Sequence, residues 1–159
     1  MFLNSRTGPK LADQVNHYLN TETMMATKKQ KILIIDDEED VHYSFERLLK
    51  KEQLNIISTE DPDKGLSLME KEAPDLVVMD IRMGKKNGLD TLKEIKAVNP
   101  RQLVVMMTAY GTSQTAIEAM KLGAYDYVLK PFSIDIIRAK IQSVLQNRII
   151  LREKYQTAF

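Results

Sequence analysis

Residues 31–37 read KILIIDD, an apolar run of strand length that ends in two carboxylates. Three later runs are also mainly apolar and end in a polar or charged residue. They are LVVMD at 76–80, LVVMMT at 103–108 and YDYVLK at 125–130. In an open parallel α/β sheet, the residues that follow the carboxyl ends of the strands gather in one crevice. We therefore expect polar groups that are far apart in sequence to meet at one edge of a sheet.

Short runs rich in Val, Ile and Leu alternate with segments of helical period from about residue 31 onward, which is the pattern of βαβ units. Strands are predicted at 31–36, 54–59, 75–80, 102–107 and 125–129. Helices are predicted at about 39–51, 62–72, 88–98, 112–122 and from about 133 onward. The predicted fold class is α/β, a doubly wound five-stranded parallel sheet of flavodoxin-like strand order 2-1-3-4-5, with an extended C-terminal helix.

The bulk composition excludes several classes of function. The chain has 159 residues, 23 Lys plus Arg against 22 Asp plus Glu, and no cysteine. Its length fits one domain. Its nearly balanced charge does not favour electrostatic binding to nucleic acid or to a membrane. The absence of cysteine excludes disulfides and thiol chemistry. The apolar runs are too short to span a bilayer, and the first ten residues lack the apolar stretch of a signal peptide. We expect a cytoplasmic protein.

The start of the chain differs from the rest in being polar. A weak amphipathic pattern at Leu11, Val15, Tyr18 and Leu19 allows a short docked helix, but we favour a disordered or vector-derived extension over residues 1–29. The main domain is predicted over residues 30–148. Residues 149–159 are predicted to extend the last helix or to link it to an output domain outside this chain.

Apolar residues in the last helix alternate spacings of three and four. They are Ile134, Ile137, Ile141, Val144, Leu151 and Tyr155, with Arg148 completing the series. This pattern fits a core helix and, equally well, a helix that pairs with a second copy in a homodimer.

The carboxylates at the strand ends predict a metal site. Asp36 and Asp37 follow the first strand, and Asp80 ends the third, which is its neighbour in this topology. Three convergent carboxylates repel one another, so the group is tolerable mainly if a cation shares the site. Mg²⁺ takes one or two carboxylates and completes its shell with water and phosphate oxygens. Zn²⁺ would want His or Cys, which the chain supplies only as His17 and His42.

A hydroxyl and an ammonium at two further strand ends predict that the ligand is a phosphoryl group. Thr108 and Lys130 are expected to hold its oxygens, because phosphoryl transfer is mostly positioning and charge neutralisation. An ionised aspartate needs no base to act as a nucleophile, so Asp80 could become an acyl phosphate. A cis Lys130–Pro131 bond would turn the lysine side chain into the site.

The motifs IIDDEED, VVMDIRM followed by NGL, VVMMTAYG and YDYVLKPF together resemble the receiver domain of two-component response regulators, over about residues 30–148. The resemblance implies that Asp80 is the phosphoacceptor and that Asp36 and Asp37 are the acidic pair, with Asp37 a direct Mg²⁺ ligand. It also implies that Arg82 binds the metal through its backbone carbonyl.

The resemblance further implies how a signal passes through the domain. Lys130 matches the phosphate-binding lysine, and Thr108 and Tyr127 match a switch pair that changes the surface of the fourth helix, fifth strand and fifth helix. The implied partner is a sensor histidine kinase, and no catalysis is implied beyond self-phosphorylation and slow self-dephosphorylation. Residues 107–132 look most like nitrogen-regulation-type activators that work with sigma-54 polymerase, which implies transcription as the output.

The loop after Asp80 departs from the family pattern. It reads Met83-Gly84-Lys85-Lys86, where family members usually carry Pro and then Gly after the methionine, so a more mobile loop is predicted. Arg82 and Tyr110 flank the site and are candidates to tune the loss of phosphate. On the first helix, His42 and Ser44 are predicted to face outward as part of a kinase-docking face.

Other interpretations of these residues include a degenerate receiver that acts only as a docking module, which is disfavoured because every site position is filled. A Mg²⁺-dependent phosphatase or phosphotransferase with an aspartyl-phosphate intermediate usually carries a second Asp two residues after the nucleophile, where this chain has Arg82. An FMN-binding flavodoxin relative needs a hydroxyl-rich loop where this chain has DDEED. A stand-alone receiver in a phosphorelay would use the same residues as a transcription regulator.

Overall fold

The computed structural model describes residues 10–27, 29–84, 86–109 and 113–156. Its centre is a five-stranded parallel sheet with the order β2-β1-β3-β4-β5, which confirms the predicted flavodoxin-like topology. The strands are β1 (Lys31–Ile35), β2 (Asn55–Thr59), β3 (Leu76–Asp80), β4 (Val104–Thr108) and β5 (Asp126–Leu129). Ile35 pairs with Met79, so the carboxyl ends of β1 and β3 lie side by side.

Five helices connect and follow the strands, close to their predicted bounds. They are α1 (Glu39–Leu49), which a 3-10 turn (Lys50–Glu52) extends, α2 (Pro62–Glu72), α3 (Gly88–Val98), α4 (Ser113–Lys121) and α5 (Ile134–Gln156). The Asp61 side chain accepts the N–H of Asp63 at the start of α2, with Pro62 as the first helical residue. Gly123, at φ +99°, follows α4 as a C-cap.

The helices form two layers, one on each face of the sheet. On one face, Phe45 of α1 and Ile137 of α5 pack in a cluster with Ile34, and on the other Met69 of α2 and Leu92 of α3 pack in a second cluster. Every residue of β3 and β4 is buried, as expected for parallel strands that helices cover on both faces. The polar site can therefore lie only where these strands end.

The middle of the heptad pattern of the last helix serves the domain core, whereas its first member, Ile134, is 54% exposed. Ile137, Ile141 and Val144 are at most 1% exposed and pack against the sheet, so they are not available to a second copy. Arg148 continues this face by pairing with Asp75, which precedes β3. The core-helix interpretation holds up to this point. The side chains at 151 and 155 lie outside the described part of α5, so a homodimer through the end of the helix stays a prediction.

Two elements of the structure were not among the predicted helices and strands. Leu11–Thr27 forms a helix on which Leu11, Val15 and Leu19 are between 48% and 77% exposed, and the assignment of residues 1–29 to an extension of the domain stays a prediction. The loop after Asp80 contains an antiparallel hairpin of Arg82–Met83 with Lys86–Asn87, and its mobility stays a prediction. No helix within the described ranges is long and apolar enough to cross a bilayer.

Candidate functional site

Lys130 is the point at which three strand ends meet. Its ammonium donates to Asp36 Oδ2 at 2.7 Å and to Asp80 Oδ2 at 2.8 Å, and lies 3.2 Å from Glu38 Oε1. The lysine side chain is only 9% exposed, although its residue follows the edge strand β5. The Lys130–Pro131 bond is cis. The predicted convergence of residues from β1, β3 and β5 is therefore present.

Four carboxylates cluster at this site, and three of them contact the ammonium. Asp36, Asp37, Glu38 and Asp80 each offer an oxygen within 4.8 Å of the others. One positive charge among four negative ones leaves a strong excess of negative charge, which a cation would relieve. A donor set made only of oxygen atoms, partly open to solvent, fits Mg²⁺. Glu38 was not among the predicted site residues, although its place in the acidic run DDEED pointed to it.

The pKa values of Asp36 and Lys130 are each shifted by burial in one direction and by the hydrogen bonds between the two groups in the other. Burial raises the pKa of the Asp36 carboxyl above its usual value of 3.8, and the charge of Asp80 adds to this, while hydrogen bonds from Lys130 and the Glu38 N–H oppose it. Burial lowers the pKa of Lys130, but hydrogen bonds to Asp36 and Asp80 outweigh it, so that pKa is raised. The ammonium is therefore charged at neutral pH, whereas Asp36 bears a cost for being ionised.

Backbone N–H groups hold the carboxylates in place. The N–H of Arg82 donates to Asp80 Oδ1 at 3.1 Å, and the N–H of Gly84 donates to Asp37 Oδ2 at 3.0 Å. Both donors belong to the segment that forms the hairpin after β3, so this segment touches both halves of the acidic site. The Arg82 residue itself is exposed. The role of its carbonyl as a metal ligand stays a prediction.

The predicted switch residues lie on the strands next to this centre. Asp80 pairs with Met107, so Thr108 lies one residue beyond it at the end of β4, where it is buried. The N–H of Lys130 donates to the Thr108 carbonyl at 2.8 Å, which ties the two strand ends together. Tyr127 on β5 is 37% exposed and thus lies on the outer side of the domain. Tyr110 lies outside the described residues.

Gly88 helps to position Asp80 and was not among the predicted site residues. Its N–H donates to the Ile81 carbonyl at 2.6 Å, and a Cβ at this position would lie 2.3 Å from the Asp80 carbonyl oxygen and 2.7 Å from Ile81 Cα. Only glycine lets α3 begin directly against the end of β3. The motif NGL marked this position, but nothing in the sequence said what the glycine touches.

His42 does not face outward as predicted. It is half-buried, and its Nε2 lies 2.5 Å from the backbone carbonyl of Asp36, to which a protonated Nε2 donates. The imidazole thus ties α1 to the end of β1 instead of presenting a docking face. Ser44 is exposed, as predicted, and donates to the Asp40 carbonyl.

Comparisons with known proteins agree with this geometry. A family model described as the response regulator receiver domain matches residues 32–142. The transcriptional regulatory protein ZraR of Escherichia coli K12 is 38% identical over 116 residues, which are 73% of this chain but only 26% of ZraR. The structure of a response regulator receiver domain protein from Clostridium thermocellum has 31% identity and a TM-score of 0.72, over 77% of this chain and 98% of that one. NtrX from Brucella abortus has 32% identity and a TM-score of 0.76, over 82% of this chain and 30% of NtrX.

Proposed function

This chain belongs to the response regulator receiver domain family, and we propose that it is a phosphorylation-dependent signalling switch with Asp80 as its phosphoacceptor. The observation that carries the proposal is the contact of one buried ammonium with Asp36 and Asp80 at 2.7 and 2.8 Å, at the ends of two neighbouring central strands. A phosphoryl group on Asp80 would lie within reach of that ammonium.

The chemistry follows from the environment of Asp80. One of its carboxylate oxygens attacks the phosphorus of the donor, so that an O–P bond forms while the bond from phosphorus to the donor's leaving atom breaks. Lys130 neutralises charge on the phosphoryl oxygens, and the Arg82 N–H holds the other carboxylate oxygen in place. Asp36, Asp37, Asp80 and the Arg82 carbonyl would hold Mg²⁺, which supplies further charge neutralisation when bound.

The signal would leave the site through the neighbouring strands. Thr108 lies at the end of β4, one residue beyond the partner of Asp80, and would donate its hydroxyl to the phosphoryl group. Tyr127 would then rotate inward, since its present exposure leaves it room to move. Phosphorylation biases two states of such a switch by adding charge and acceptor oxygens. The surface that responds is formed by α4, β5 and α5, where Ile117 and Leu129 are more than 50% exposed.

A sensor histidine kinase is the proposed donor of the phosphoryl group, and transcription is the proposed output. The proposal of transcription is supported by the name of ZraR, a transcriptional regulatory protein. The matched residues cover only 26% of ZraR. A receiver that acts alone in a phosphorelay would use the same site.

The proposal is tested by incubation with acetyl phosphate and Mg²⁺, followed by intact mass measurement. We expect the wild type to gain one phosphoryl group and Asp80→Asn to gain none. Lys130→Met is expected to react more slowly, while Lys93→Met, which removes an exposed ion pair on α3, serves as the matched control. Equal labelling of the wild type and Asp80→Asn would contradict the proposal. Sustained hydrolysis of a phosphoester would support the phosphatase alternative instead.

A further inference from the structure

Lys86 connects the hairpin after β3 to the two helices on either side of it. Its ammonium lies 2.5 Å from Asp63 Oδ1 at the start of α2 and 3.2 Å from Glu94 Oε1 in α3. The hydrogen bond to Asp63 raises the pKa of Lys86, so the group is fully charged at neutral pH. Neither carboxylate belongs to the acidic site, and the resemblance to receiver domains assigns no role to this lysine.

The hairpin itself needs such an external constraint. Gly84 at its tip has φ +55°, and a Cβ there would meet nothing within 4 Å, so packing does not restrain the backbone at this residue. Met83 anchors the first strand of the hairpin by being buried. On the second strand, Lys86 forms ion pairs with Asp63 of α2 and Glu94 of α3.

We propose that Lys86 is a positioning residue that holds this hairpin in the conformation needed for Mg²⁺ binding. The hairpin contacts the acidic site directly, because the N–H of Gly84 donates to Asp37 and the N–H of Arg82 donates to Asp80. If the hairpin detaches from α2 and α3, both carboxylates lose the donors that orient them. The inference rests on the proposed function, since it concerns the affinity of that site for Mg²⁺.

The exposure of the partners sets the size of the effect. Asp63 and Glu94 are 76% and 48% exposed, and an exposed ion pair of this kind corresponds to at most about a fivefold change in an equilibrium constant. Lys86→Met removes two such pairs, so we expect it to raise the dissociation constant for Mg²⁺ by about threefold to tenfold. The difference from the wild type should shrink at high ionic strength, because salt screens exposed pairs.

The test reads Mg²⁺ binding without any phosphodonor. Urea unfolding, followed by far-UV circular dichroism at a series of MgCl₂ concentrations and constant ionic strength, yields the dissociation constant from the gain in stability. Lys86→Met should bind more weakly, Lys86→Arg should restore binding, and Lys93→Met should match the wild type. A dissociation constant for Lys86→Met within twofold of the wild-type value, or no recovery with Lys86→Arg, would overturn the inference.

A second measurement distinguishes a positioning role of Lys86 from a general loss of phosphorylation activity. With acetyl phosphate, Lys86→Met should require more Mg²⁺ for half the maximal phosphorylation rate, while its rate at saturating Mg²⁺ stays within about twofold of the wild type. A loss that Mg²⁺ does not recover would contradict the positioning role. A wild-type chain whose unfolding midpoint does not respond to Mg²⁺ would instead contradict the proposed function itself.

Discussion

Gly88→Ala is expected to damage the reactivity of Asp80 far more than it damages the fold. The added Cβ would lie 2.3 Å from the Asp80 carbonyl oxygen, whereas ordinary contacts begin at 3.4 Å, so the backbone must separate by about 1 Å. The atoms in the way belong to the backbone of Asp80 and Ile81, which cannot yield by changing a rotamer. Overpacking of this kind typically costs about 1–3 kcal/mol.

The displacement falls on the residue that carries the nucleophile. A misplacement of about 1 Å in a reacting group can lower a rate on the order of 100-fold. We therefore expect Gly88→Ala to lose about 1–3 kcal/mol of unfolding free energy and on the order of 100-fold in the rate of phosphorylation by acetyl phosphate at saturating Mg²⁺. Urea unfolding measures the first quantity, and the time course of intact mass measures the second.

Gly84→Ala is the matched control. Gly84 lies in the same loop at φ +55°, and an alanine there costs about 1–2 kcal/mol through its left-handed conformation but meets no neighbouring atom. Its stability should thus resemble that of Gly88→Ala, while its phosphorylation rate stays within about threefold of the wild type. If the two variants react equally fast, the close approach of α3 to β3 does not set the position of Asp80, and the reasoning is wrong.

Three further predictions concern charge and conformation. Asp36→Asn should stabilise the metal-free protein at pH 7 in urea unfolding, because Lys130 keeps Asp80 and Glu38 as partners while one buried carboxylate of the cluster is neutralised. Burial raises the pKa of Asp36, so its ionisation costs stability as pH rises above 3.8 and the advantage of the variant should vanish below that pH; a less stable variant at pH 7 would contradict this. Gly84→Pro should lower both stability and Mg²⁺ affinity, since proline requires φ near −65° and has no N–H for Asp37; an unchanged Mg²⁺ titration would refute this. Arg148→Met should cost about 1 kcal/mol by removing one partner of the Asp75 carboxylate, which keeps the Lys31 N–H, but leave phosphorylation unchanged, as measured by urea unfolding and intact mass; a slower reaction would contradict the separation of the two ends of the sheet.

The sequence was sufficient to predict that Asp36, Asp80 and Lys130 meet at the site, although not that Glu38 and Gly88 join them. Apolar runs that end in Asp36, Asp80 and Lys130 indicated parallel strands, and parallel strands of this topology bring their carboxyl ends together whatever the loops do. The charge argument then predicted a bound cation, because convergent carboxylates are tolerable mainly if a cation shares their site. These inferences depend only on strand order and charge, and both can be predicted from the pattern of residues.

Features that depend on contacts across the fold could not be predicted in this way. Lys86 and Asp63 are 23 residues apart and meet only because the hairpin turns toward α2. His42 has the spacing of a surface residue on α1, yet it bonds the Asp36 carbonyl. The heptad pattern of α5 was ambiguous for a physical reason, since a core face and a dimer face both require apolar residues at spacings of three and four.

Trapping the acyl phosphate shows directly whether Asp80 receives a phosphoryl group. Treatment of the phosphorylated protein with borohydride reduces an aspartyl phosphate to homoserine, and peptide mass spectrometry then locates the modified residue. We expect homoserine at position 80, dependent on both the phosphodonor and Mg²⁺. Homoserine at position 36 or 37, or an unmodified chain under conditions in which Mg²⁺ stabilises the fold, would contradict it.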